Sequence, residues 1–157
     1  MPKLDIDKIP IDTHTGYPEP FRRVQAGRER QRLGVAAGLD QFGVNLARLR
    51  PGAASSQRHW HQTEDEFIYV LEGELVLVEN EGETLLHPGD TAGWKAGAAN
   101  GHCLINRTNR DAVYLEIGSR APREVVNYPD IDLRVERDGK DQRYLHKSGA
   151  PYPGSER

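Results

Sequence analysis

The sequence predicts an all-β fold of antiparallel strands, arranged as a sandwich or a barrel. Two observations support this. Apolar residues occur in short runs of strand length, separated by glycine, proline, asparagine and aspartate. Almost no segment has the periodicity of an amphipathic helix. The predicted strands are residues 42–49, 66–71, 74–79, 83–86, 91–95, 102–106 and 112–117, and a terminal hairpin of residues 132–137 and 142–147.

The ends of the chain are less regular. The first 20 residues contain four prolines, which predict an extended arm instead of a helix. Arg28 to Leu33 is compatible with one helical turn. The 157 residues are enough for one domain with its own core.

Charge and composition exclude several classes of function. The net charge of -3 and the pI of about 6.1 give no basis for binding nucleic acid or an anionic membrane. No apolar run has the length of a membrane span, and the N-terminal segment lacks a signal-peptide core. A single cysteine, Cys103, excludes an intrachain disulfide. We therefore expect a cytoplasmic protein that binds neither nucleic acid nor membrane.

The stretch from Arg58 to Gly73 carries the candidate chemistry. His59 and His61 lie on the same face of a strand, roughly 6–7 Å apart at Cα. Glu66 has the opposite parity, so it can join them only if the chain bends between Gln62 and Asp65. His102 lies on a separate predicted strand, which antiparallel folding can bring beside the first two histidines.

Three imidazoles and one carboxylate form a mixed nitrogen and oxygen ligand set. Such a set suits one divalent transition metal, and the spacing does not choose among Mn, Fe, Co, Ni, Cu and Zn. Four protein ligands on an ion that accepts five or six leave positions open for water or substrate. The sequence therefore predicts a single metal ion held by His59, His61, Glu66 and His102.

These residues resemble the two sequence motifs of the cupins. The first motif is matched, with six residues instead of five before the first histidine, by Gly52, His59, His61, Glu66 and Gly73. The second is matched, with a longer segment before the histidine, by Gly82, Pro88, Gly89, Asp90, His102 and Asn106. Over its full length the chain is also similar to bacterial single-domain cupins of the type-2 conserved-barrel group. That similarity is carried by residues 15–21, 42–46, 58–61, 100–102 and 128–133.

The resemblance implies a double-stranded β-helix, or jelly-roll barrel, with a metal ion inside one end, and a homodimer. Residues 1–41 would form an N-terminal arm and flanking strand, and residues 42–118 the cupin barrel core. Residues 119–157 would form C-terminal strands, a hairpin and a tail that pack on the barrel. Most members of the group have no assigned function, and some are named sugar-phosphate isomerases by analogy.

The fold alone does not choose a reaction, because it hosts enzymes and non-enzymes alike. The leading hypothesis is a metal-dependent enzyme on a small polar metabolite, working by proton transfer, as in an isomerase or lyase, or with dioxygen. The alternative is a cupin that binds or senses a small molecule without turnover. Acid and base groups near the metal would favour catalysis, whereas an apolar lining would favour binding only.

Several other residues allow predictions. Both faces of the strand 66–71 are apolar, which predicts that a second subunit or an arm covers the outer face. Trp94 either borders the metal pocket or fills the barrel. Cys103 is predicted to be a small packed residue and Glu64 a solvated turn carboxylate. Arg48 and Arg58 either meet an anionic substrate or lie on an exposed face.

Overall fold

The structure, a computed structural model, describes residues 3–153. In this range the chain forms thirteen strands and three short helices. The strands are β1 (Ile11–Asp12), β2 (Arg28–Gln31), β3 (Phe42–Leu49), β4 (Trp60–His61), β5 (Glu66–Glu72), β6 (Leu75–Glu79), β7 (Gly82–Leu86), β8 (Thr91–Trp94), β9 (Cys103–Ile105), β10 (Ala112–Ser119), β11 (Arg123–Asn127), β12 (Arg134–Asp138) and β13 (Asp141–Leu145). The helices are two 3-10 helices, Ile6–Lys8 and Phe21–Gln25, and α1 (Leu33–Ala36).

Three antiparallel sheets build a jelly-roll barrel. The largest has six strands in the order β1-β2-β3-β10-β5-β8, and the others have the orders β13-β12-β11-β4 and β7-β6-β9. Every pairing between strands of the described residues is antiparallel. The predicted all-β class is therefore confirmed.

The main core lies between the six-stranded and the three-stranded sheets. Leu49, Val70 and Leu75 have no exposed surface, and they pack in one cluster with residues of β7, β8, β9 and β10. Each points inward because side chains alternate along a strand and only one face meets the opposite sheet. This cluster fills one half of the barrel interior, and polar residues line the other half.

A second apolar cluster joins the two ends of the chain. Tyr17 of the N-terminal arm packs in one cluster with Val135 of β12, with Tyr128 and Leu133 of the loop between β11 and β12, and with Tyr152. The rings of Tyr17 and Tyr128 meet edge to face with centroids 5.7 Å apart. The arm therefore covers the side of the barrel that holds β4.

Most central strands were predictable, but two regions were not. The helical turn expected at Arg28 to Leu33 is wrong, since β2 occupies most of it and pairs with β3, and α1 begins only at Leu33. Backbone hydrogen bonding to the edge of β3 outweighs the weak helical preference of this charged segment. A strand through His59 and His61 was expected and is present in part as β4, but its partner β11 was missed because the pairing of these two strands is set by the tertiary structure.

The outer face of β5 stays exposed in this single chain. Phe67, Tyr69 and Leu71 each expose about two-fifths of their surface, at 41%, 40% and 39%. The homodimer that was expected to cover this face stays a prediction. The division of the chain into an arm (1–41), a barrel core (42–118) and a C-terminal region (119–157) also stays a prediction. Among residues 3–153, no helix is long and apolar enough to cross a membrane.

Candidate metal centre

The structure brings all four predicted ligands to one place inside the barrel. His59 and His102 pair directly across two antiparallel segments, with His59 N donating to His102 O at 3.1 Å and His102 N to His59 O at 2.9 Å. Residues paired in this way direct their side chains to the same face. His61, two positions further on, shares that face. The expectation that antiparallel folding joins the histidines is confirmed.

Glu66 reaches the histidines because the chain bends, as predicted, between Gln62 and Asp65. The bend carries the chain from β4 in the four-stranded sheet to β5 in the six-stranded sheet. The buried carboxylate of Glu124 holds it by accepting hydrogen bonds from the backbone N–H groups of Gln62 at 2.8 Å and Thr63 at 3.0 Å. Glu66 thus faces the histidines from the opposite sheet, where strand parity no longer limits it.

The imidazole Nε2 atoms converge on one oxygen of Glu66. Its Oε2 lies 2.7 Å from His102 Nε2, 3.6 Å from His61 Nε2 and 3.9 Å from His59 Nε2. The ligand atoms of His59, His61 and Glu66 all lie within 4.8 Å of one another. Atoms that bind one ion at about 2.0–2.2 Å are separated by similar distances. These residues could therefore hold a metal ion, with His102 beside them on the same carboxylate.

Hydrogen bonds behind two of the rings turn their Nε2 atoms inward. His59 Nδ1 lies 2.9 Å from the carbonyl oxygen of Gln57 and 3.0 Å from Ser56 Oγ. His102 Nδ1 lies 3.0 Å from the carbonyl oxygen of Asn100. A carbonyl can only accept, so Nδ1 of each ring carries a proton, which in a neutral His59 leaves the Nε2 lone pair free to bind a cation. Nε2 of His102 contacts the Glu66 carboxylate, and it would have to give up a proton there to bind the same cation. The donor set therefore fits a divalent transition metal.

His61 differs from the other two histidines. Its Nδ1 is buried without a hydrogen-bond partner among the described residues. The nearest carboxylate oxygens are Glu124 Oε1 at 3.9 Å and Glu64 Oε2 at 4.0 Å. These distances are too long for direct hydrogen bonds. The ring is therefore positioned by its strand and by its neighbours in the barrel.

Burial and mutual charge give these groups the protonation states of metal ligands. Burial lowers the pKa of His59 to about 4, although the charge of Glu66 opposes the effect. Burial alone would raise the pKa of Glu66, but the hydrogen bond with His102 and the electrostatic interactions with the three histidines outweigh it and lower that pKa to about 2. A neutral imidazole and an ionised carboxylate are the forms that bind metal.

Two aromatic rings pack against the histidines. The sequence analysis gave two possible roles for Trp94 and none for Tyr128. Trp94 stacks on His102 with ring centroids 3.7 Å apart and planes 6° apart, and it also belongs to the apolar core. It therefore fulfils both predicted roles. Tyr128 stacks on His59 at 5.8 Å. In the sequence, Tyr128 stood out only because it lies in residues 128–133, one of the segments that are similar to bacterial single-domain cupins.

The centre opens into a cavity of 820 Å³ that contains polar and ionisable groups as well as apolar ones. Besides the four candidate ligands, its polar lining includes Tyr17, Arg28, Arg30, Asn45, Glu64, Tyr114, Glu116, Tyr128 and Tyr144. Burial raises the pKa of Tyr17 to about 12 and the pKa values of Tyr114 and Tyr128 well above the usual range. These phenols are therefore neutral hydrogen-bond donors at physiological pH.

Other predictions about single residues had mixed outcomes. The prediction that Glu64 is solvated is wrong, because it is 8% exposed, accepts from Ala121 N at 2.8 Å and pairs with Arg137. Cys103 is buried as predicted, and burial raises its thiol pKa to about 11. Arg48 and Arg58 do not line the cavity; they pair with Asp111 and Asp130.

Comparison with known proteins identifies relatives of this chain. The family model for a cupin domain matches residues 45–118. A protein from Silicibacter pomeroyi, described as a sugar phosphate isomerase from a cupin superfamily, is 45% identical, with 99% of each chain covered and a TM-score of 0.94. A protein from Acidithiobacillus ferrooxidans, provisionally named a sugar phosphate isomerase, is 30% identical over 80% of each chain, with a TM-score of 0.73.

More distant similarity concerns the fold alone. A polyketide cyclase from Streptomyces resistomycificus is 19% identical, with 83% of this chain and 87% of that chain covered and a TM-score of 0.65. The search of curated proteins gave no match. The motif residues, the barrel and the full-length similarity at 45% identity agree, and the chain belongs to the cupin superfamily.

Proposed function

We propose that this chain is a metal-dependent cupin enzyme that acts on a small polar metabolite by proton transfer, in the manner of an isomerase or a lyase. The observation that carries the proposal is the convergence of three imidazole Nε2 atoms on Glu66 beside a cavity lined with acid and base groups. A cavity meant only for binding would be mainly apolar. The name of the Silicibacter pomeroyi protein supports the isomerase class.

One divalent ion would be held by His59, His61, Glu66 and His102, and this nitrogen and oxygen ligand set suits Mn, Fe, Co, Ni, Cu and Zn. When bound, such an ion polarises a carbonyl or hydroxyl group and so makes a neighbouring C–H or O–H more acidic. The hydrogen bonds of His59 and His102 to backbone carbonyls orient both rings, and they would keep the Nε2 atoms in place to bind the ion.

The cavity supplies groups that can move a proton. Glu116 projects from β10 and is held by the amide of Asn45 at 2.9 Å and by Arg30, whose Nε lies 3.2 Å from Glu116 Oε1. A carboxylate fixed in this way is a candidate general base. Tyr17 and Tyr128, kept neutral by burial, are candidate donors to a developing negative charge.

Metal analysis tests the ligand assignment. Protein purified without added metal should contain close to one transition-metal ion per chain, and His61→Ala should lose most of it while its circular dichroism stays that of a β-protein. His87→Ala is the matched control, because the His87 side chain is 55% exposed on the outer surface. Unchanged metal content in His61→Ala would show that the assignment is wrong.

Isotope exchange tests the reaction class. The metal-loaded protein is incubated in D₂O with a panel of sugar phosphates and hydroxy acids, and the compounds are analysed by mass spectrometry. Proton transfer predicts deuterium incorporation into at least one compound, absent with His61→Ala. Oxygen consumption without exchange would indicate dioxygen chemistry instead. A ligand that raises the melting temperature but shows neither effect would favour a binding or sensing protein.

We further propose that the protein acts in the cytoplasm as a homodimer. The exposed face of Phe67, Tyr69 and Leu71 supports a second copy of the chain as its cover, and the reduced, buried thiol of Cys103 is compatible with a reducing compartment. Light scattering coupled to size exclusion should give twice the chain mass for the wild type. The monomer mass at micromolar concentration would contradict the dimer.

A further inference from the structure

Arg28 lines the cavity but has no role in the proposed metal chemistry. It lies on β2, faces the barrel interior beside Leu49, and is only 6% exposed. Its guanidinium forms two hydrogen bonds, from Nη1 to the carbonyl oxygen of Ser55 at 3.2 Å and from Nη2 to that of His14 at 3.1 Å. Both acceptors are neutral, so neither balances the positive charge.

Most other arginines on the cavity wall differ because they have a carboxylate partner; Arg120 forms no ion pair among the described residues, but it is exposed to solvent. Arg30 Nε lies 3.2 Å from Glu116 Oε1, and Arg137 pairs with Glu64. Arg28 forms no ion pair within residues 3–153, and its buried Nε has no hydrogen-bond partner there. Burial lowers the pKa of Arg28 and the nearby charge of Arg30 lowers it further, while the charge of Glu116, which forms no direct ion pair with Arg28, opposes the change without reversing it. A buried cation without a counter-charge is unfavourable unless an anion joins it.

The position of Arg28 connects it with the metal centre. Arg28 and the candidate ligands line the same cavity of 820 Å³. Ser55, whose carbonyl oxygen accepts from Arg28, has its Oγ 3.4 Å from Ser56 Oγ, which lies 3.0 Å from His59 Nδ1. One short segment of chain therefore contacts both the guanidinium and a candidate metal ligand.

We infer that Arg28 binds an oxyanion group, a phosphate or a carboxylate, of the substrate whose other end meets the metal centre. The inference rests on the proposed function. The Nε–H and the remaining Nη–H groups of a guanidinium match the geometry of both anions. The two carbonyl acceptors fix the guanidinium in place before the ligand arrives. The substrate class is then an anionic metabolite.

Calorimetric titration of the full-length protein with inorganic phosphate and with acetate tests this assignment. Metal-free protein is used first, since a bound metal ion would itself attract the anions. We expect the wild type to bind one of the two, and Arg28→Met to weaken that binding at least tenfold. The anion that binds more tightly identifies a phosphate or a carboxylate as the natural group.

Arg58→Met is the matched control. Arg58 also donates to a backbone carbonyl, that of Gly101 at 3.3 Å, but it pairs with Asp130 away from the cavity. Its titration should equal that of the wild type. Equal anion affinity in Arg28→Met and wild type, or no binding of either anion by the wild type, would overturn the inference.

Two further measurements keep the test decisive. If Arg28→Met does not fold, the Nε–H resonance of Arg28 in the wild type should shift during the titration, and an unmoved resonance would overturn the inference. The metal content of the wild type is measured separately. A protein that binds no metal would contradict the proposed function without changing the anion titration, so the two failures are distinguishable.

Discussion

The two halves of the barrel are built from the same strands but have opposite chemistry. On β5 the inward residues change from Val70, fully buried in the apolar core, to Glu66 at the candidate metal centre, and on β10 they change from Ala112 to Glu116. We call the half around Leu49, Val70, Leu75, Leu86 and Ala112 the packed half, and the half around the four candidate ligands the polar half. The strands β5 and β10 pair with each other in both halves, with one register shift between Val113 and Tyr114, so the difference lies mainly in the side chains.

This difference indicates how the fold separates stability from chemistry. Apolar burial stabilises the packed half by roughly 25 cal/mol per Å² of surface removed from water. Burial of ionisable groups in the polar half is unfavourable in the absence of a bound ion or ligand. Changes in the packed half should therefore alter unfolding, and changes in the polar half should alter binding.

The largest expected effect on stability is in the packed half. Leu75→Ala removes a fully buried side chain from the core and should lower the free energy of unfolding by about 3 kcal/mol, measured by urea denaturation. Leu85→Ala is the control, because Leu85 on the neighbouring strand is 50% exposed and should change stability by less than about 1 kcal/mol. Metal content per folded chain should stay unchanged in both variants. A loss of metal in Leu75→Ala would show that the halves are coupled.

The polar half should make the metal-free protein sensitive to acid. His59 titrates near its ordinary value of 6.5 when unfolded but at about 4 when folded. Between these values the unfolded chain binds more protons, so the free energy of unfolding falls as the pH falls from 6.5 to 4. At about 1.4 kcal/mol per pKa unit, the full decrease is about 3 kcal/mol. Glu66, with its pKa lowered to about 2, adds a decrease of the same sign below pH 4.5.

Urea denaturation of the metal-free protein across this pH range measures the effect. His59→Gln should flatten the dependence between pH 6.5 and 4. His87→Gln, which changes an exposed histidine, should not. A wild-type stability that stays constant over this range would contradict the neutral, buried state of His59.

The smallest expected effect is at the boundary between the halves, where Trp94 joins the core and stacks on His102. Trp94→Phe keeps an aromatic ring but removes the hydrogen bond from Nε1 to Glu79 at 2.8 Å. We expect a loss of about 1 kcal/mol in stability and a reduction of metal affinity of less than about tenfold. Trp60→Phe, on the outward face of β4, should change neither. An equal effect of both variants would show that the contact with His102 is unimportant.

The sequence predicted the parts of the fold that local pattern controls. The strand 42–49 and the turn before Gly82 were predicted because branched apolar runs and turn residues define them without reference to the rest of the chain. The parity of Glu66 even predicted the bend between residues 62 and 65. By contrast, the burial of Glu64 was missed, since it depends on Ala121 and Arg137, more than fifty residues away.

The sequence by itself determined the all-β class, the cupin motifs and the identity of the four candidate ligands, because residue type and short spacing carry that information. Only the tertiary structure decided that His59 pairs with His102, that Trp94 both fills the core and stacks on a candidate ligand, and that Arg28 is buried without a direct ion pair among residues 3–153. The physical reason is that burial and charge balance depend on neighbours brought together by sheet pairing, and spacing along the chain does not specify those neighbours.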